Sequence, residues 1–187
     1  MRVVFSPALM CILAAWTVLA FATVFRRRPA QARETRRARG WSWGLALEAV
    51  SIGTLWIWQR PEPPGLLLSV VAVLLAAASV AVMLACQRTL GRQFAYQARL
   101  VEGHRLITTG PYHCVRNPIY TALFGLGLAN GLVLSRWLVV PLFTVLYVAG
   151  TAIRVQSEER LLRAAFGPEF EDYARRVPAF IPIPLRW

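Results

Sequence analysis

The stretch GLLLSVVAVLLAAASVAVMLAC, residues 65–86, holds no charged side chain. A helix rises about 1.5 Å per residue and a bilayer core is about 30 Å thick, so about 20 apolar residues suffice to cross it. Four further stretches share this character. Residues 7–25, 119–135 and 137–153 carry no charge, and residues 41–58 carry one, Glu48. Soluble helices seldom run this long without charge, and five such blocks in 187 residues point to an all-α integral membrane protein with five transmembrane helices. Composition agrees. Hydrophobic residues make up 57% of the chain and charged residues 16%. Soluble domains hold roughly 45–50% and 25%. The length suits a single membrane domain, residues 1–187.

The first span reads as a retained anchor and not a signal peptide. Its apolar region is long, and its arginines follow it. Trp41 and Trp43 open the second span, and Trp56 and Trp58 close it, as interfacial indoles do.

The net charge of +12 comes with 21 basic residues, all arginine. Their placement argues against a nucleic-acid partner. Seven lie in residues 26–39, five between Arg88 and Arg116, and six from Arg154 to Arg186. Only Arg2, Arg60 and Arg136 fall in the alternate loops. The positive-inside rule then places the N-terminus outside and the C-terminus in the cytoplasm. Most of these arginines form a solvated basic collar against lipid headgroups. The expected location is a prokaryotic inner membrane, the exclusive use of arginine hinting at a GC-rich genome.

Three cysteines, Cys11, Cys86 and Cys114, are odd in number and lack CxxC spacing, so a disulfide framework is not expected. His104, His113 and Cys114 lack further ligands at metal spacing, and no metal partner is expected. Gly125, Gly127 and Gly131 miss the dinucleotide fingerprint because Asn130 stands at the third glycine. They suit close helix packing instead.

Two polar segments flank the last two spans. In the first, GPYHCVRNPIY (110–120), Gly110 and Pro111 make a turn. Pro118 suits the first turn of the fourth span, and Asn117 is expected to cap it. The positive end of that helix would face a polar ligand, with Tyr112 and Tyr120 flanking it. The same residues also suit an ordinary interfacial cap. In the second segment, Arg154 and Glu158 are four apart, on one helix face where the fifth span leaves the bilayer. A plain ion pair is the simple reading. Charges at membrane depth are also functional suspects. Beyond them, SEERLLRAAF reads as a short helix stopped at Gly167. Pro168 restarts a second helix, and prolines 178, 182 and 184 force an extended end.

HRLITTGPYHCVRNPIY, followed some 40 residues later by EERLLRAAFGPEFEDYARRVPAFIP, resembles the isoprenylcysteine carboxyl methyltransferase family, within a wider group that includes phospholipid methyltransferases. The likeness covers roughly residues 87–182. The family loop pattern is H-x-L-V-T-x-G-x-Y-x-x-x-R-H-P-x-Y, from which Ile107 and Asn117 depart. In the tail pattern Leu161 and Leu162 double the leucine, and Phe170 replaces a tyrosine.

The resemblance implies S-adenosylmethionine-dependent methyl transfer at the cytoplasmic membrane face, to the carboxylate of a lipophilic, prenylcysteine-like substrate. The cofactor pocket would lie in residues 87–187, behind three N-terminal spans in residues 1–86. The implied cofactor-binding residues are Gln97, His104, Arg105, Leu106, Ile107, Tyr112, Asn117, Pro118, Ile119, Tyr120 and Glu158. The implied catalytic and substrate-binding residue is Arg154, at the substrate carboxyl. The alternatives are a phospholipid or other lipid acceptor, a sterol-type reductase using NADPH, and a non-catalytic membrane module.

Overall fold

A computed structural model describes residues 6–24, 34–37, 41–91, 99–101 and 105–180, with the two four- and three-residue strands described by backbone alone. Long helices occupy all five apolar stretches: α1 (Pro7–Val24), α2 (Trp41–Ile57), α3 (Leu66–Leu90), α5 (Pro118–Leu134) and α6 (Val139–Phe166). Two short helices, α4 (Pro111–Cys114) and α7 (Pro168–Arg176), complete the helices among the described residues. The expectation of a purely helical chain needs one correction. β1 (Glu34–Arg37) and β2 (Arg99–Val101) pair as an antiparallel two-stranded sheet. Polar chain between spans can use a backbone ladder where an apolar helix is not required.

The helices α1, α3 and α6 are long and apolar enough to cross a membrane. At 17 residues each, α2 and α5 are shorter, about 25 Å at the usual helical rise. The bundle turns apolar groups outward. Met10, Phe21, Trp43, Val50, Leu66, Leu74, Val145 and Val148 are all exposed. Side chains this apolar cover a helix flank in contact with lipid far more readily than one in contact with water.

Local sequence sets the helix ends. Ser6 Oγ accepts a bond from the Leu9 N–H at 3.2 Å, just before Pro7 opens α1. Gly167 adopts φ +50°, a left-handed conformation that glycine takes without steric cost, and Pro168 starts α7 immediately after. The expected first tail helix is not separate. Residues 157–166 continue α6 without a break, so α6 carries the fifth apolar stretch and its polar extension as one rod.

Inside, α1, α3 and α5 share a core around Leu9, Ile12, Met83 and Leu126. A Cβ on Gly125 would meet Ser79 Oγ at 2.5 Å, and one on Gly127 would meet the Phe143 ring at 2.5 Å. These glycines do serve close packing. A second cluster joins Leu55, Val139, Phe143 and Tyr147, with Phe124 stacked 5.7 Å from Phe143.

The two ends of the bundle differ. At one end the turn after α2 meets the turn after α5. The Arg60 N–H donates to the Leu134 carbonyl at 2.9 Å, and the Arg136 N–H to the Trp58 carbonyl at 3.0 Å. At the other end, α4, the start of α5, the α6 extension and α7 come together. The polar loop and the tail, far apart in sequence, therefore share one end of the molecule.

Candidate functional site

Three of the residues singled out from sequence converge where α5 begins and the apolar part of α6 ends. The Tyr120 hydroxyl donates to Glu158 Oε1. The Arg154 guanidinium carbon lies 4.8 Å from the centre of the Tyr120 ring, a cation–π distance. Arg154 is buried, with only 3% of its surface exposed.

The ion pair of Arg154 differs from the expected one. It is made with Glu48, which α2 contributes. Arg154 Nη1 donates to Glu48 Oε2 at 2.5 Å, while Thr151 Oγ1 donates to Glu48 Oε1 at 2.9 Å. Arg154 precedes Glu158 along the helix, the less favourable order for a four-apart pair, and Glu48 faces it directly from the neighbouring helix. Glu48 was legible as the single acid in an apolar stretch, but the sequence could not show that α2 lies against α6. Two glycines make that approach possible. A Cβ on Gly44 would sit 2.5 Å from both Arg154 Cγ and the Gly150 carbonyl, and one on Gly150 would sit 2.7 Å from the Gly44 carbonyl.

Around this cluster the loop and tail are stitched together. Arg116 Nε donates to Glu159 Oε1 at 3.0 Å, and its Nη1 donates to the carbonyls of Ala174 at 2.8 Å and Val177 at 2.6 Å. The backbone N–H groups of Arg116 and Asn117 donate to Pro178 and Ala179. The Tyr173 hydroxyl donates to the Tyr112 carbonyl at 2.7 Å. Burial pushes the Tyr173 phenol up to about 12, so it keeps that proton at any ordinary pH. Arg163 donates to Glu171 at 2.8 Å and lies 5.4 Å from the Phe170 ring centre, binding α7 to α6.

Asn117 occupies the N-cap position of α5, as expected, but its side chain does not cap the helix. Its Nδ2 donates to the Ala179 carbonyl at 3.1 Å, and no side-chain cap bond forms on α5. The backbone donors beside it are likewise taken by the tail, not left for a ligand. The extended chain after α7 offers carbonyls at the right distance, and they satisfy these donors.

The remaining positions are spread around the same end. Leu106 packs on the tail cluster of Phe170, Tyr173 and Val177. Ile107 is half-buried and Arg105 exposed. Tyr112 is buried, and desolvation, with Cys86 and then Glu158 nearby, raises its phenol well above the ordinary range. Pro118 is buried, while Ile119 packs against the α1–α3–α5 core. Gln97 and His104 lie outside the described residues. Among the described residues, no group of three or more His, Cys, Asp or Glu is placed to hold a metal ion.

The sequence profile of the phospholipid methyltransferase family matches residues 63–169, more than half of the chain. The chain belongs to this family. Among relatives of this family member, the nickel-cobalt-cadmium resistance protein NccN of Alcaligenes xylosoxydans xylosoxydans is 41% identical over 81 residues, 41% of this chain and 36% of that protein. Protein-S-isoprenylcysteine O-methyltransferase B of Arabidopsis thaliana is 31% identical over 96 residues, 50% of this chain and 49% of its own length. The protein-S-isoprenylcysteine O-methyltransferase of Schizosaccharomyces pombe is 32% identical over 80 residues, 43% of this chain and 34% of its own. The chain thus spans between a third and a half of the length of these relatives. The Arabidopsis thaliana and Schizosaccharomyces pombe alignments agree with the resemblance to isoprenylcysteine methyltransferases read from the two motifs.

Proposed function

We propose that this protein is an S-adenosylmethionine-dependent methyltransferase acting at the cytoplasmic face of the membrane on a lipophilic acceptor that bears a carboxylate, of the prenylcysteine kind. The observation that carries the reading is the meeting of Tyr120, Arg154 and Glu158 beneath the loop and tail of the two family motifs. The cofactor is a sulfonium cation. A half-buried carboxylate on Glu158 and the ring faces of Tyr112 and Tyr120 suit a cation. Among the described residues of the cluster, two carboxylates, Glu48 and Glu158, stand with the Arg154 guanidinium. These residues fit the cofactor.

When bound, S-adenosylmethionine supplies an activated methyl, whose C–S bond breaks with the electron pair left on sulfur as a C–O bond forms to the acceptor. The chain's own task is alignment and exclusion of water. Tyr120 holds Glu158 in place through its hydroxyl. Arg154, at the end of the apolar part of α6, orients the acceptor carboxylate while the lipid tail stays in the bilayer. A carboxylate with a pKa of about 3.5 is already ionised at neutral pH, so no proton moves and no general base is required.

The full chain, purified into lipid nanodiscs, is expected to bind labelled S-adenosylmethionine in equilibrium dialysis. Glu158→Ala and Tyr120→Ala should abolish binding. Arg154→Ala should keep it and lose turnover. A wild-type protein that binds no cofactor ends this reading, and full turnover in Arg154→Ala removes Arg154 from it.

The family name favours a second reading, a phospholipid acceptor. An amine, with a pKa of about 10, would first have to lose a proton. Labelling a prenylcysteine analogue beside a total lipid extract separates the two, because methyl esters are base-labile and methylamines are not.

A further inference from the structure

Glu48 lies on α2, outside the residues that match the family profile. Its surroundings are those of a built site. Its two carboxylate oxygens accept separately from Thr151 and Arg154, and Ser51 donates to its backbone carbonyl at 2.7 Å. Its side chain is 6% exposed and that of Arg154 is 4% exposed. The Arg154 guanidinium is thus bounded by a carboxylate on one side and the Tyr120 ring on another.

A buried guanidinium with no counter-charge would grip an incoming carboxylate as a tight ion pair, since burial strengthens such attraction. That grip would draw electron density from the very oxygen that must attack the methyl. We propose that Glu48 is a positioning residue that sets the strength of this grip, tethering Arg154 and sharing its charge so that the acceptor carboxylate docks yet stays nucleophilic. The proposal rests on the carboxylate-acceptor reading above. It also makes acceptor selectivity a property of α2, a helix outside the shared family segment.

The test compares a small S-prenylated N-acetylcysteine with its methyl ester, binding each to the full chain in nanodiscs without cofactor. The acid carries the charge that Glu48 opposes and the ester does not, so their affinity ratio isolates the effect. Glu48→Gln is expected to tighten the acid by about tenfold and leave the ester within about twofold, the scale of removing one close like charge. In turnover the same variant should lower both KM and kcat for the acid. Glu48→Asp, which keeps the charge, should keep the wild-type ratio. Thr151→Val changes no charge and removes a donor from Glu48, leaving more of its charge to oppose the acid. It should weaken the acid by about twofold, and it carries the test if Glu48→Gln does not fold.

A purely structural Glu48 would lower the yield or melting temperature of Glu48→Gln without moving the acid-to-ester ratio. A ratio unchanged in both Glu48→Gln and Thr151→Val overturns the proposal, as does a wild-type protein that binds neither compound. Failure of the methyltransferase reading shows separately, as a wild-type protein that does not bind S-adenosylmethionine.

Discussion

Tyr120 shows how much one hydroxyl can hold. It donates to Glu158, its ring covers Arg154, and its backbone carbonyl accepts from Tyr147 at 3.0 Å. Tyr120→Phe keeps the ring and removes the donor. A carboxylate that loses such a partner costs about 1–3 kcal/mol, so affinity for S-adenosylmethionine should fall by about tenfold while the fold survives. Equilibrium dialysis checks this, and unchanged affinity would separate the hydroxyl from the site. At this scale the sequence was partly legible. Tyr120, Arg154 and Glu158 stand out by type and by motif, but Arg154 was readable only as a neighbour of Glu158, because spacing along one helix reports nothing about the helix opposite. Asn117 was read correctly as the N-cap of α5, but its side-chain partner was not legible, for a related reason. Its type suits a cap, yet its amide reaches Ala179, 62 residues away in sequence.

Two contacts between elements frame the proposed site. The first is the seam of α2 and α6. Gly150→Ala would place a Cβ 2.7 Å from the Gly44 carbonyl and 3.0 Å from Leu47 Cβ. The carbonyl belongs to rigid backbone, so the helices must part, at a cost of about 1–3 kcal/mol. The expected result is a lower melting temperature in detergent together with lost turnover. A variant as stable and active as wild type would show that the seam has slack. The second is the docking of α7. Arg116 holds Glu159 and two carbonyls at once, and its side chain is only 12% exposed. Arg116→Gln should destabilise this end by about 3 kcal/mol, the scale of breaking a buried pair, and expose the chain after Gly167 to limited proteolysis. Unchanged protease resistance would mean that the Phe170–Tyr173–Val177 cluster suffices to dock α7. The breaks at Gly167 and Pro168 were readable from sequence, because glycine and proline act locally. The continuity of α6 was harder to read. An apolar run and a charged run each look like an element of their own, although one helix can carry both.

For the whole molecule, the arginine pattern makes a directional claim. Cys114 is exposed beside α5 at the end where the proposed site lies. If that end faces the cytoplasm, a membrane-impermeant thiol reagent should modify Cys114 in inverted vesicles and not in intact cells. Labelling only from the outside would reverse the topology and place the site away from cytoplasmic cofactor. Long charge-free runs and two motifs were enough to read a bundle of apolar helices and the family of the chain. These are properties of stretches, set by the cost of burying charge in lipid and by the local preferences of glycine and proline. What only the tertiary structure decided is which helices touch: α2 against α6, bringing Glu48 to Arg154, and the tail folded back over Arg116 and Asn117. Inside a bilayer every helix is apolar, so hydrophobicity cannot choose its neighbour. That choice falls to small residues such as Gly44 and Gly150 and to the few buried charges, and their pairing is visible only once the helices are packed.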